Sequence, residues 1–87
     1  LIDVRQPDEY EQAHVPGAVL IPLAEVPERV GEIPRDREVY IICRSGKRSH
    51  TAAGFLAQHG IDAVNVAGGT LAWLDAGKPV VGGPDAG

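Results

Sequence analysis

Four short runs, apolar almost throughout, constrain the fold of this chain more than any other feature: Leu1–Val4, Ala18–Ile21, Val39–Ile42 and Ala63–Val66. A strand with one wet face alternates apolar and polar residues. Runs like these are buried on both faces, as in parallel strands joined by crossover helices. The segments between them carry helix signals. Pro7 suits the first turn of a short helix, and Asp8 and Glu9 suit its positive end. Pro27 predicts the start of a second helix, with Val30 and Ile33 turned inward and Pro34 as its stop. Ala52, Phe55, Leu56 and His59 recur at helical spacing, which predicts a helix over 49–59 with Gly60 just past its end. Gly17 and Gly68-Gly69 read as turns, Thr70 to Ala76 as a last helix capped by Gly77, and Gly82 to Gly87 as a Gly-rich tail. The expected fold class is α/β, a parallel β-sheet with helices on both faces. Such sheets bind ligands beyond the carboxyl ends of their strands. Asp3, Cys43 and the turn beginning at Ala67 are therefore expected to converge on one mouth.

The segment Cys43-Arg44-Ser45-Gly46-Lys47-Arg48-Ser49 links a buried strand to a helix and carries the only cysteine. Three of the chain's eight Lys and Arg residues fall within positions 44 to 48. A strand-to-helix bridge points successive backbone N–H groups, and the positive end of a helix dipole, at one spot. An ordinary thiol has a pKa of about 8.5 and is only ~3% thiolate at pH 7, so converging donors and cations would raise the reactive fraction. A buried cysteine without such neighbours would be an inert small hydrophobe.

Length and composition narrow the setting. The 87 residues predict one domain spanning 1–87, with a single core that buries roughly 60 to 65% of the unfolded chain's surface. No apolar run approaches the ~20 residues of a membrane span, so no membrane partner is expected. The net charge of −4 argues against a nucleic-acid surface, while the local cations suit a small anion. A lone cysteine forms no internal disulfide and keeps its thiol best in a reducing compartment, so the cytoplasm is the expected location. The chain opens without methionine inside a strand-like run, and an N-terminal segment is expected to precede it. No metal or cofactor is expected. One cysteine with scattered histidines matches no zinc spacing, and Ser45-Gly46-Lys47 lacks the first glycine and the final Ser/Thr of a nucleotide P-loop.

Several stretches together resemble the rhodanese family of sulfurtransferases, in its single-domain form. They are Leu1-Ile2-Asp3-Val4-Arg5 followed by Glu9-Tyr10, His14-Val15-Pro16-Gly17-Ala18, the loop Cys43 to Ser49, and Gly68-Gly69 with Trp73 and Gly77-Lys78-Pro79-Val80. The resemblance implies a rhodanese-like sheet of five parallel strands, the first of which would precede Leu1. It also implies a chemistry in which the Cys43 thiolate takes the outer sulfur of thiosulfate, holds it as a persulfide and passes it to cyanide or a thiol. On that reading Arg44, Ser45, Gly46, Lys47, Arg48 and Ser49 bind the anionic donor, and Asp3 supports the loop.

Other residues have structural readings. Arg5 and Glu9 stand four apart and are expected to pair. His14 reads as a turn-stabilising residue, His50 and His59 as helix-surface and helix-end residues, and Trp73 as core. Two other functions compete. Cysteine phosphatases and arsenate reductases cradle an anion over a thiolate, but such phosphatases place five residues between cysteine and arginine, whereas four lie between Cys43 and Arg48. A sulfur-relay or redox-sensing accessory domain of a larger protein is the other alternative.

Overall fold

A computed structural model describes residues 1–87. Its elements, in chain order, are β1 (Ile2–Asp3), α1 (Pro7–Gln12), β2 (Val19–Leu20), two 3-10 turns (Leu23–Glu25 and Val30–Glu32), β3 (Val39–Ile42), α2 (Lys47–Gln58), β4 (Ala63–Asn65) and α3 (Gly69–Asp75). The strands form one four-stranded sheet in the order β2-β1-β3-β4, and every pairing is parallel. The α/β parallel architecture matches the expectation from the apolar runs.

Side chains of β3 divide the core between the two faces of the sheet. Val39, Ile41 and Cys43 belong to a cluster that packs against Ala52, Ala53 and Leu56 of α2 and against Val26 and Ile33. Ile42 turns the other way, toward Tyr10 of α1, Val15 and Ala18, with Trp73 of α3 packed beside them. This two-residue alternation carries Cys43 to the α2 side with Ile41. Coverage of the second face is incomplete, because Tyr40 remains 47% exposed.

The register aligns the carboxyl ends of three strands. Asp3 lies beside Ile42, and Ile41 beside Asn65. Backbone bonds from Val4 N to Ile42 O (3.0 Å) and from Val66 N to Ile41 O (2.9 Å) continue the ladders to the sheet edge. Cys43 emerges between β1 and β4.

Most element ends fall within one residue of the sequence reading, and two departures are larger. The helix expected from Pro27 is absent, and Pro27 sits in a turn between the two 3-10 turns. Gly31 costs a helix about 1 kcal/mol and Pro34 removes a donor, so the six residues between the two prolines form only one short turn. The second difference concerns α2, which starts at Lys47 rather than at Ser49. Gly46, with φ +108°, provides its cap through a left-handed backbone that other residues rarely adopt. The irregular loop is therefore only Arg44 to Gly46.

Candidate active site

Cys43 follows β3 directly, and only 1% of its surface is exposed. Its Sγ accepts a hydrogen bond from the Gly46 N–H at 3.1 Å and lies 3.3 Å from the Ser49 hydroxyl. Burial pushes the thiol pKa up. The Ser49 hydroxyl and the backbone N–H groups of Ser49, Gly46 and Ser45 outweigh it, and the net shift is downward. These donors come from the loop and the first turn of α2, so the same short segment that buries the sulfur also acidifies it.

The three cations divide. Arg44 and Lys47 are exposed and form no ion pair, whereas Arg48 makes a bidentate pair with Glu9 of α1, at 2.7 and 2.9 Å. That pair holds the Glu9 carboxyl down to about 2, despite some burial, and raises the Arg48 pKa further. Glu9 also accepts from the N–H of Gln6 at 3.0 Å, so one carboxylate both caps α1 and fastens α1 to α2. The expected Arg5–Glu9 pair is absent. The expectation that Arg48 lies free for substrate meets an arginine already engaged.

Asp3 is fully buried, and its carboxylate accepts from the N–H, Nε and Nη2 of Arg5 at 2.8 to 3.1 Å. Arg5 in turn donates to the carbonyl of Ala13 at 2.7 Å. The expected support of the 43–49 loop by the Asp3 carboxylate is thus replaced by a clamp on Arg5 and the end of α1. A buried carboxylate needs a charged partner, and Arg5 two residues away is the nearest one.

Support of the loop comes instead from the α3 start. The N–H and hydroxyl of Thr70 both donate to the Cys43 carbonyl, at 2.8 and 3.1 Å, and the Leu71 N–H donates to that of Arg44 at 3.0 Å. Gly69 makes this possible. A Cβ on Gly69 would collide with the Cys43 carbonyl and stand 2.6 Å from the Arg44 carbonyl oxygen, so the two loops meet only with glycine there. Asn65, at the end of β4, accepts from the Ser49 hydroxyl through Oδ1. The sequence reading did not single out Thr70 or Asn65. The only signal for Thr70 was a hydroxyl residue directly after the paired glycines.

Two depressions flank the loop. A cleft of about 190 Å³ is walled by Arg5, Glu9, Arg44 and Thr70, among others. A shallower one of about 440 Å³ touches Ser45, Gly46, Lys47, Asn65 and Gly68. His14 is fully buried, stacked on Tyr10 and in contact with the backbone carbonyls of Tyr10 and Asp85. Trp73 is half-buried and donates to the Pro79 carbonyl at 2.7 Å. No helix is long and apolar enough to cross a membrane.

The fold and this cradle define a class: parallel α/β proteins that hold an acidified cysteine among backbone amides beyond the strand ends. The chain belongs to the Rhodanese-like domain family, whose sequence profile matches residues 1–76. It is 45% identical over 82 residues to a sulfurtransferase of Allochromatium vinosum, covering 93% of this chain and 77% of that one. Over 70 residues it is 43% identical to the thiosulfate sulfurtransferase PspE of Escherichia coli, covering 78% and 67%. The crystal structure of a rhodanese-related protein from Thermoplasma volcanium superposes with a TM-score of 0.88 at 38% identity, covering 92% of this chain and 80% of that one.

Proposed function

We propose that the protein is a sulfurtransferase that takes sulfane sulfur from a small anionic donor such as thiosulfate, stores it on Cys43 and gives it to cyanide or a thiol. One observation carries this reading: Gly46 N–H and the Ser49 hydroxyl both meet the Cys43 sulfur at the start of α2, and together with neighbouring amides they favour its anion. The name of the PspE relative supports thiosulfate as the donor.

The Cys43 thiolate attacks the outer sulfur of thiosulfate. A new S–S bond forms to Cys43, the S–S bond of thiosulfate breaks, and its electron pair leaves with sulfite. The persulfide keeps one negative charge on its terminal sulfur. Cyanide then attacks that sulfur and leaves as thiocyanate, and the electron pair of the persulfide bond returns to Cys43 as thiolate. Both steps keep an anion above the loop, which suits preformed amide donors. Arg44 and Lys47, unpaired on the rim, attract the dianionic donor, and Ser45 and Gly46 line its approach. Arg48, with two of its five N–H donors held by Glu9, fixes the helix start and offers the donor its remaining ones. The whole of 1–87 acts as one domain on this reading, in a reducing compartment such as the cytoplasm.

Intact mass after treatment with thiosulfate tests the proposal. The protein gains one sulfur atom, cyanide removes it, and Cys43→Ser gains none. Absence of the gain, or its persistence in Cys43→Ser, overturns the assignment. A persulfide that forms but does not turn over with cyanide or small thiols would favour the sulfur-relay role instead.

A further inference from the structure

The Ser49 hydroxyl touches two acceptors. It lies 3.3 Å from Cys43 Sγ and within hydrogen-bonding distance of Asn65 Oδ1. A hydroxyl has one proton, so it serves one of them at a time. With Cys43 as a thiol, the S–H donates to Ser49 Oγ, and Ser49 donates to Asn65. When Cys43 ionises, its proton goes to solvent, and the Ser49 proton turns toward the sulfur and leaves Asn65 Oδ1. Ser49 is fully buried, so water does not readily replace the lost partner. Asn65 is held in place as the last residue of β4, opposite Ile41, and its Nδ2 lies under Gly46.

We propose that Asn65 is a positioning residue for sulfur transfer: it holds the Ser49 hydroxyl beside Cys43 and competes with the sulfur for that hydroxyl's single proton. This rests on the sulfurtransferase reading for its purpose but not for its physics. Asn65 steadies the resting thiol. Once Cys43 ionises, the hydroxyl proton, freed from Asn65, helps hold the thiolate that attacks the donor. Around the sulfur, the titratable and charged groups are Arg44, Lys47, Arg48 and His50 from the loop and α2, Asp3 and Arg5 from the end of β1, and Glu9 from α1. The residues that reach the site from β4 and α3, Asn65 and Thr70, are neutral, so the effect of Asn65 is a hydrogen-bond effect.

Alkylation rate against pH reads the thiolate without any sulfur donor, and mass gain from thiosulfate on the same samples reads the parent proposal separately. Asn65→Leu removes the competing acceptor at similar size and is expected to lower the midpoint by roughly half to one pH unit, the worth of one neutral hydrogen bond. Asn65→Asp strengthens the acceptor and adds negative charge, and is expected to raise it. In a Ser49→Ala background the Asn65→Leu effect is expected to vanish, because Asn65 acts through the hydroxyl. An unchanged or raised midpoint in Asn65→Leu overturns the proposal, as does an equal downward shift without the Ser49 hydroxyl. Should Asn65→Leu lose its fold by circular dichroism, the Asn65→Asp shift is compared with and without the Ser49 hydroxyl: an upward shift that is smaller in Ser49→Ala supports the proposal, and a downward shift or one of equal size in both overturns it.

Discussion

Cys43 and Ser49, on the floor of the loop, are buried, while Arg44 and Lys47, on its rim, are exposed, although all four lie within seven residues of sequence. The floor works with neutral donors at fixed distances: one amide at 3.1 Å and one hydroxyl at 3.3 Å. The rim works with mobile charge that water and salt screen. Of the converging amides and cations expected from the sequence to acidify the thiol, the amides and one hydroxyl are the groups that meet the sulfur. The donors that lower the Cys43 pKa are Ser49 and the amides of Ser49, Gly46 and Ser45. In this account the floor sets the reactivity of sulfur, and the rim sets how strongly the anionic donor is drawn in.

The comparison breaks most visibly if the floor can be distorted without consequence. Gly69→Ala would push a methyl group into the Cys43 and Arg44 carbonyls at a φ of +57°. Overpacking and left-handed strain together are expected to cost about 2 to 4 kcal/mol in denaturant unfolding. Persulfide formation should fall even in the fraction that stays folded. Arg44→Ala probes the rim. It is expected to leave stability nearly unchanged and to raise KM for thiosulfate about fivefold to thirtyfold, the equivalent of ~1 to 2 kcal/mol at an exposed charge. Transfer from the persulfide to cyanide should change much less. Equal damage to both half-reactions would assign Arg44 to the floor.

An effect of similar size, read in stability rather than in KM, belongs to Glu9–Arg48, the pair that joins the two regions to α1. The folded-state pKa of Glu9 is about 2, below its ordinary 4.5, so its contribution is complete above 4.5 and is lost as pH falls from there toward 2. Glu9→Gln is therefore expected to be less stable than the parent by about 1 to 2 kcal/mol at pH 7, with the gap closing below pH 4.5. Unfolding curves at several pH values measure this. A gap independent of pH would mean that the pair contributes through packing alone.

The apolar runs made the parallel sheet legible in the sequence, because a strand with apolar residues on both faces needs a layer on each side: Ile41 and Ile42 fill opposite layers. The strand-to-helix bridge at Cys43 was equally legible. What the sequence hid depends on distance in space. Glu9 is 39 residues from Arg48, and the local spacing to Arg5 suggested the wrong partner, since Arg5 is captured by the buried Asp3 carboxylate. The helix was expected to start at Ser49, yet Gly46 caps one that begins at Lys47, so Ser49 falls inside its first turn with the hydroxyl beside the sulfur. Asn65 and Thr70 are single polar residues at element ends, and only the parallel register brings them to Cys43.

Neutral donors of the floor, rather than the rim cations, hold Cys43 in its reactive form. Alkylation rate against pH tests it directly, in the parent, in Ser49→Ala and in Arg44→Ala/Lys47→Ala. The parent midpoint should lie below the ordinary thiol value of about 8.5, Ser49→Ala should raise it by roughly one unit, and the double rim variant should shift it by less than about 0.3 unit. A midpoint that rises in the rim variant and stays unchanged in Ser49→Ala would contradict the claim.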